Sequence, residues 1–216
     1  MEFEHVKPMD IEKRSMEIIG QELAEKGITL PADKAHIIKR VIHTTADFEY
    51  ADTLTFSGHA VEKAKEALRA GATIVTDTKM AWSGINKRTL ENLHGKACNF
   101  ISDEDVAEAA RQHGFTRSAA SMDKAASLPG PLIFAIGNAP TALIRLYELI
   151  EEGKLAGIAA AEALGKLSKE EAAKAKENVW NSLDQLRTGP FGQGRHDAKE
   201  QIIEQMEEWK VKNSAC

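Results

Sequence analysis

Apolar positions along this chain recur at two spacings. Ile11, Ile18, Ile19 and Leu23 fall at helical intervals and stop at Gly27, which predicts a first helix with Asp10 as its cap. A second helix is predicted from Pro31 through Ile37, Ile38, Val41 and Ile42, with His43 at its end, and a third from Ser57 to about Leu68, closed by Gly71. Between such stretches lie short β-branched or bulky runs. Thr73-Ile74-Val75-Thr76, then Ala97-Cys98-Asn99-Phe100-Ile101, then Pro131 to Ile136 each read as a strand. A short helix interrupted by Gly84 is expected between Lys79 and Leu93, one capped by Ser102 runs over Val106, Ala109 and Ala110 to Gly114, and another starts at Thr116-Arg117. The alternation of strand and helix predicts parallel pairing with right-handed crossovers, hence a three-layer α/β/α sheet through Ile150.

The rest of the chain is organised around the last strand and the turn after it. Past Ile136 the pattern turns at Gly137-Asn138-Ala139-Pro140 and restarts as a helix with Leu143, Leu146 and Ile150 on one face. Asn138 is a favoured N-cap type and Pro140 suits an early helical position. In open α/β sheets ligands lie beyond the carboxyl ends of the strands, where helix N-termini point N–H groups outward, so a ligand is expected here. The same features also describe an ordinary strand-to-helix turn. Asp77 sits at the carboxyl end of the first strand.

After Gly153 the sequence becomes rich in Ala, Lys and Glu, with no β-branched run long enough for a strand. Ser168 with Glu171 forms a capping box ahead of Ala172, Ala175, Val179, Leu183 and Leu186, and Asp197 with Glu200 forms another ahead of Ile202, Met206 and Trp209. Two amphipathic helices are expected, joined by the loop Gly189 to Arg195, whose glycine spacing follows no strand and is read as a linker. The expected organisation is an α/β domain over residues 1–153 and a helical segment over 154–216 packed on the same domain.

Composition narrows the partners. With 216 residues and 43% hydrophobic content the chain supports a core; its net charge of -5 argues against nonspecific nucleic-acid binding. Cys98 and Cys216 are the only cysteines, too few for a disulfide framework or a cysteine metal motif. No apolar run reaches membrane-spanning length and Met1-Glu2-Phe3-Glu4 lacks the features of a secretory signal, so a cytoplasmic protein without membrane contact is expected. There is no Walker loop, nucleophile elbow or His-Glu-x-x-His helix. What remains is His43 at an element boundary with Arg14 and Arg117 near helix starts, a set suited to proton delivery and to binding carboxylates, although each alone has an ordinary surface role.

Ile11-Glu12-Lys13-Arg14-Ser15, Val41-Ile42-His43, the run from Ala64 to Ala72 leading into Val75-Thr76-Asp77, Met80 with Gly84, Thr116-Arg117-Ser118-Ala119-Ala120 and Ala135 to Leu143 carry a resemblance. In order and spacing, over residues 3 to about 155, they resemble the precorrin-8X methylmutases, also called cobalt-precorrin-8 methylmutases, of cobalamin biosynthesis. The resemblance implies a flavodoxin-like parallel sheet, a homodimer and an isomerisation that uses no cofactor and no protein-bound metal. A methyl group would move from carbon 11 to carbon 12 of a tetrapyrrole, giving a corrin. His43 matches the family's catalytic histidine. Arg14, Ser15, Thr116, Arg117 and Ser118 match its substrate-contacting segments, and Asn138 lies where the turn faces the crevice. Family members continue past the position of Gly153 with further strands, which are not found in this sequence. Two other readings stay open: a tetrapyrrole-binding protein without turnover, and an α/β interaction module using its C-terminal helices.

Overall fold

The computed structural model describes residues 10–137 and 139–188. Along them run α1 (Ile11–Glu25), α2 (Ala35–Thr45), α3 (Tyr50–Thr53), α4 (Ala60–Arg69), β1 (Thr73–Thr76), α5 (Lys79–Gly84), α6 (Lys87–Glu91), β2 (Lys96–Cys98), α7 (Glu104–His113), α8 (Arg117–Ala126), β3 (Leu132–Ala135), α9 (Pro140–Ala163) and α10 (Lys169–Thr188). The chain divides into two compact units, one of Met1–Ala72 with Thr89–Gly95, the other of Thr73–Arg88 with Lys96–Cys216. No helix of the described residues is long and apolar enough to cross a membrane.

The first unit is built on α1 and α2. Their helical spacing puts Ile19, Leu23, Ile38 and Ile42 on facing stripes, and these four form a buried cluster closed by Ile28, Leu30, Phe48, Tyr50, Leu54 and Phe56. Gly27 sits at φ 71° just past α1, and the Ile28 N–H reaches back to Leu23 O (2.9 Å) while the Gly27 N–H reaches Ala24 O (3.0 Å). That is a Schellman ending, which a residue with a Cβ adopts only under strain. Two expected boundaries move. Helix α2 begins at Ala35 rather than Pro31, after a turn in which Pro31 O accepts the Lys34 and Ala35 N–H groups. Helix α4 begins at Ala60 rather than Ser57: Ser57 O accepts the Ala60 N–H, and His59, at φ 59°, occupies the cap without a side-chain bond. The single turn α3 carried no periodic signal.

The second unit holds a three-stranded parallel sheet in the order β2-β1-β3, with Thr73 to Thr76 facing Leu132 to Ala135 and Thr73 to Val75 facing Lys96 to Cys98. All three strands stand where the sequence places them. β2 stops at Cys98, short of Ile101, because Asn99 turns its amide back to donate to Thr76 O (2.9 Å). β1→β2 steps one way and β2→β3 steps back past β1, so right-handed crossovers send α5 and the α7–α8 pair to opposite faces. This is a flavodoxin-like start, with its switch point between β1 and β3. Val75, Met122, Ala125 and Ala142 form the buried centre, with Phe134, Ile136, Leu146 and Leu149 against it.

Helix α9 runs through Gly153, so the change of composition there falls inside a helix. Helix α10 then packs on α9, burying Ala172, Val179 and Leu183. Its capping box forms: the Ser168 N–H donates to the Glu171 carboxylate (2.9 Å) and the Glu171 N–H to Ser168 Oγ (3.2 Å). From residue 154 to 188 the chain is helical apart from the connection at 164–168, and the described residues contain no strand beyond β3. The linker Gly189 to Arg195 and the second capping box, Asp197 with Glu200, lie outside the described residues.

Candidate functional site

In the first unit the seam between α1 and α2 ends in polar ties. His43 follows the buried Ile42 and so emerges at the rim, exposed, in the last turn of α2. Ser15, on α1, comes within 2.7 Å of it, Oγ to Nδ1. Three residues earlier on each helix, Glu12 forms an ion pair with Arg40. The pair of ties fixes the imidazole by one nitrogen and leaves Nε2 without a partner among the described residues. Beside Ser15 lies an open depression of about 260 Å³ lined by Ile11, Arg14, Ser15, Ile18 and Ile19. Arg14 stands at its edge, 3.5 Å from Glu17 with its side chain 44% exposed. A hydroxyl-held imidazole, a cation and an apolar floor together suit an apolar ligand with an anionic rim.

In the second unit the turn after β3 does something the sequence did not reveal. Asp77, fully buried at the end of β1, accepts the Gly137 N–H on both oxygens (3.2 Å each) and the Ala139 N–H on Oδ2 (2.9 Å). Ala139 is the N-cap of α9, with Pro140 at the first helical position. One donor at this helix start, the Ala139 N–H, is therefore taken by the protein's own carboxylate. Asn138 itself lies outside the described residues.

The start of α8 is different. Thr116 is its N-cap, accepting the Ala119 N–H (3.1 Å) while donating its own proton to Thr141 Oγ1 (2.8 Å), so the hydroxyl serves the two helix starts. Arg117 is exposed and meets no carboxylate among the described residues; Ser118 is half-buried beside it. Two other cations of this unit, Arg145 and Lys124, are committed. Burial opposes the charge of Arg145, but hydrogen bonds to Asp123 (2.8 Å), Glu148 and Glu152 (3.1 Å each) outweigh it and raise its pKa. Lys124 is likewise raised, first by its hydrogen bond to Asp103 and then by Asp105. Among these, Arg117 is the cation with room for an external anion.

Thus Arg14, Ser15 and His43 are gathered in the first unit, and Thr116, Arg117 and Ser118 in the second. Asp77 and Thr141 were missed as site-building residues. A lone acidic residue after a strand gives a sequence reader a position but not the backbone donors that will surround it. No group of three His, Cys, Asp or Glu stands close enough to hold a metal among the described residues.

One unit with a parallel sheet and its switch point, and another carrying an exposed histidine and arginine, define an α/β protein of small-molecule chemistry; comparison with known proteins narrows this to one family. A model of the precorrin-8X methylmutase family matches residues 10–180, and the chain belongs to that family. It is 47% identical over 147 residues to the cobalt-precorrin-8 methylmutase of Salmonella typhimurium, covering 66% of this chain and 70% of that protein. It is 41% identical over 149 residues to that of Priestia megaterium, covering 69% of this chain and 65% of the relative. Among solved structures, the precorrin-8x methyl mutase from Thermus thermophilus superposes with a TM-score of 0.60 at 33% identity, covering 67% of this chain and 69% of that one. The chain spans about two thirds of the length of the curated relatives it matches.

Proposed function

We propose that this chain is an isomerase of cobalamin biosynthesis, moving a methyl group from carbon 11 to carbon 12 of precorrin-8 or its cobalt form to give a cobyrinate-type corrin. The observation that carries this is the Ser15–His43 pair, 2.7 Å apart on an exposed face within the residues matched by the family. A methyl shift inside one conjugated ring system asks for a fixed geometry and one well-placed acid, and little covalent chemistry. The Ser15 Oγ–His43 Nδ1 hydrogen bond orients the ring and leaves Nε2 as the atom that exchanges a proton with the ring system. Charge-assisted bonds from Arg14 and Arg117 to peripheral carboxylates hold the macrocycle, with Ser118 and Asn138 as further contacts and no bound cofactor taking part. A homodimer working in the cytoplasm completes the reading, with its α/β part ending near residue 153.

A second reading has its own support. Among the described residues the sheet stops at β3 and the chain continues as the helices α9 and α10, which favours a tetrapyrrole-binding protein without turnover. One experiment separates the two: precorrin-8 is mixed with excess protein and absorbance is followed through a single turnover. Conversion to the corrin spectrum is expected. A spectral shift on adding corrin product without conversion of precorrin-8 would establish the second reading, and neither response would overturn both.

A further inference from the structure

The most constrained group outside the proposed proton-transfer pair is Asp77. It is a fully buried carboxylate, and burying one is costly unless donors satisfy it. Its donors are the N–H groups of Gly137 and Ala139, which flank the turn into α9. From Ala139 the path continues through backbone bonds, as the Ala142 N–H donates to Ala139 O (3.0 Å), and fixes the first turn of α9. Thr141 in that turn receives the hydroxyl proton of Thr116 (2.8 Å), and Thr116 caps α8 immediately before Arg117. Each link is short, and the two helix starts are joined by a single hydroxyl-to-hydroxyl bond.

We propose that Asp77 is a positioning residue for the binding half of the site: its carboxylate closes the start of α9 to external anions and, through Ala139, Thr141 and Thr116, sets where Arg117 presents its guanidinium. The proposal rests on the methylmutase reading above, because Arg117 is taken there as a carboxylate clamp. It accounts for two features at once. The Ala139 N–H at the helix start is engaged by Asp77, and Arg117, one helix away, is left without an internal partner among the described residues.

Asp77→Asn keeps the shape but offers one acceptor oxygen, and turns an amide N–H toward backbone N–H groups. The test is a double-mutant cycle on affinity for the cobyrinate-type corrin product, measured by absorbance titration of the full chain. Asp77→Asn is expected to weaken binding roughly 5- to 30-fold when Arg117 is present and to change it by less than about twofold in an Arg117→Met background, because coupled residues are not additive. A merely structural Asp77 gives the same fold-loss in both backgrounds, and that result overturns the proposal. If Asp77→Asn does not fold, Thr141→Val cuts the middle of the path at a single hydroxyl and must show the same dependence on Arg117. Product binding that is absent in the parent protein overturns the methylmutase reading and this proposal with it, whereas parental binding with additive losses overturns this proposal alone.

Discussion

His43 and Asp77 both end an element, and their surroundings are opposite. His43 is exposed and shares one ring nitrogen with Ser15, whereas Asp77 is fully buried and gives both oxygens to backbone N–H groups. The difference follows from the cost of an unsatisfied polar atom. In the interior that cost is the full desolvation of the group, so a buried carboxylate persists only when internal donors use it completely. At the surface, water meets what the protein does not, and Nε2 of His43 stays available for a ligand. Chemistry therefore belongs with the half-satisfied exposed group, and positioning with the fully satisfied buried one.

The sharpest way to break that division is to remove the imidazole. His43→Ala is expected to slow methyl migration by roughly 10² to 10⁴, the usual worth of a general acid, while product affinity stays near that of the parent. Single-turnover absorbance checks it; conversion within about threefold of the parent would return His43 to an ordinary surface role. On the binding side, Arg117→Met should weaken product affinity by about 1.5–3 kcal/mol, the range for a hydrogen bond to a charged group, and the loss should shrink as salt is added. An affinity that is flat across the salt titration would mean that Arg117 is only solvated.

How far the sequence discloses this division depends on where each signal is stored. The three strands are legible because their β-branched and bulky runs are continuous, and α1, α2 and α10 because periodicity and end signals agree, as at Gly27 and in the Ser168–Glu171 box. Ser15 and His43 are legible only through the family's motifs: 28 residues separate them, and no local spacing says that α1 and α2 bring them together. Asp77 is illegible in a stronger sense. Its partners are backbone groups some 60 residues away, and a backbone N–H has no signature in the side-chain sequence. The shifted starts of α2 and α4 likewise follow backbone bonds, those that the carbonyls of Pro31 and Ser57 accept in turns.

A smaller effect tests how Ser15 shares the work. Ser15→Ala leaves the imidazole in place but removes the partner of Nδ1, so it should lower the rate by about tenfold or less, in line with one hydrogen bond near 1 kcal/mol. Ser15→Thr, which restores a hydroxyl, should recover most of the loss. A loss in Ser15→Ala that Ser15→Thr does not recover would leave Ser15 without a part in orienting the ring.

The smallest effect concerns a group that strains the comparison itself. Glu171 is exposed like His43 yet engaged by a backbone N–H like Asp77, since it accepts the Ser168 N–H at 2.9 Å while its own N–H donates to Ser168 Oγ at 3.2 Å. The Ser168 backbone N–H and then the Ser168 side chain hold its carboxyl below the ordinary carboxylate range. A carboxyl whose pKa is lower in the folded state stabilises the fold above its unfolded value and loses that contribution as pH falls through its folded value. Urea unfolding of the parent and of Glu171→Gln should therefore differ most at neutral pH, and the two should converge on acidification through the carboxylate range. Ser168→Ala, which removes the N-cap hydroxyl but keeps the backbone N–H, should cost about 1 kcal/mol at neutral pH and weaken that pH dependence without abolishing it. A difference between parent and Glu171→Gln that grows on acidification would reverse the sign argued here. In that case exposure, rather than engagement, would be what decides whether a polar group on this chain contributes to the fold.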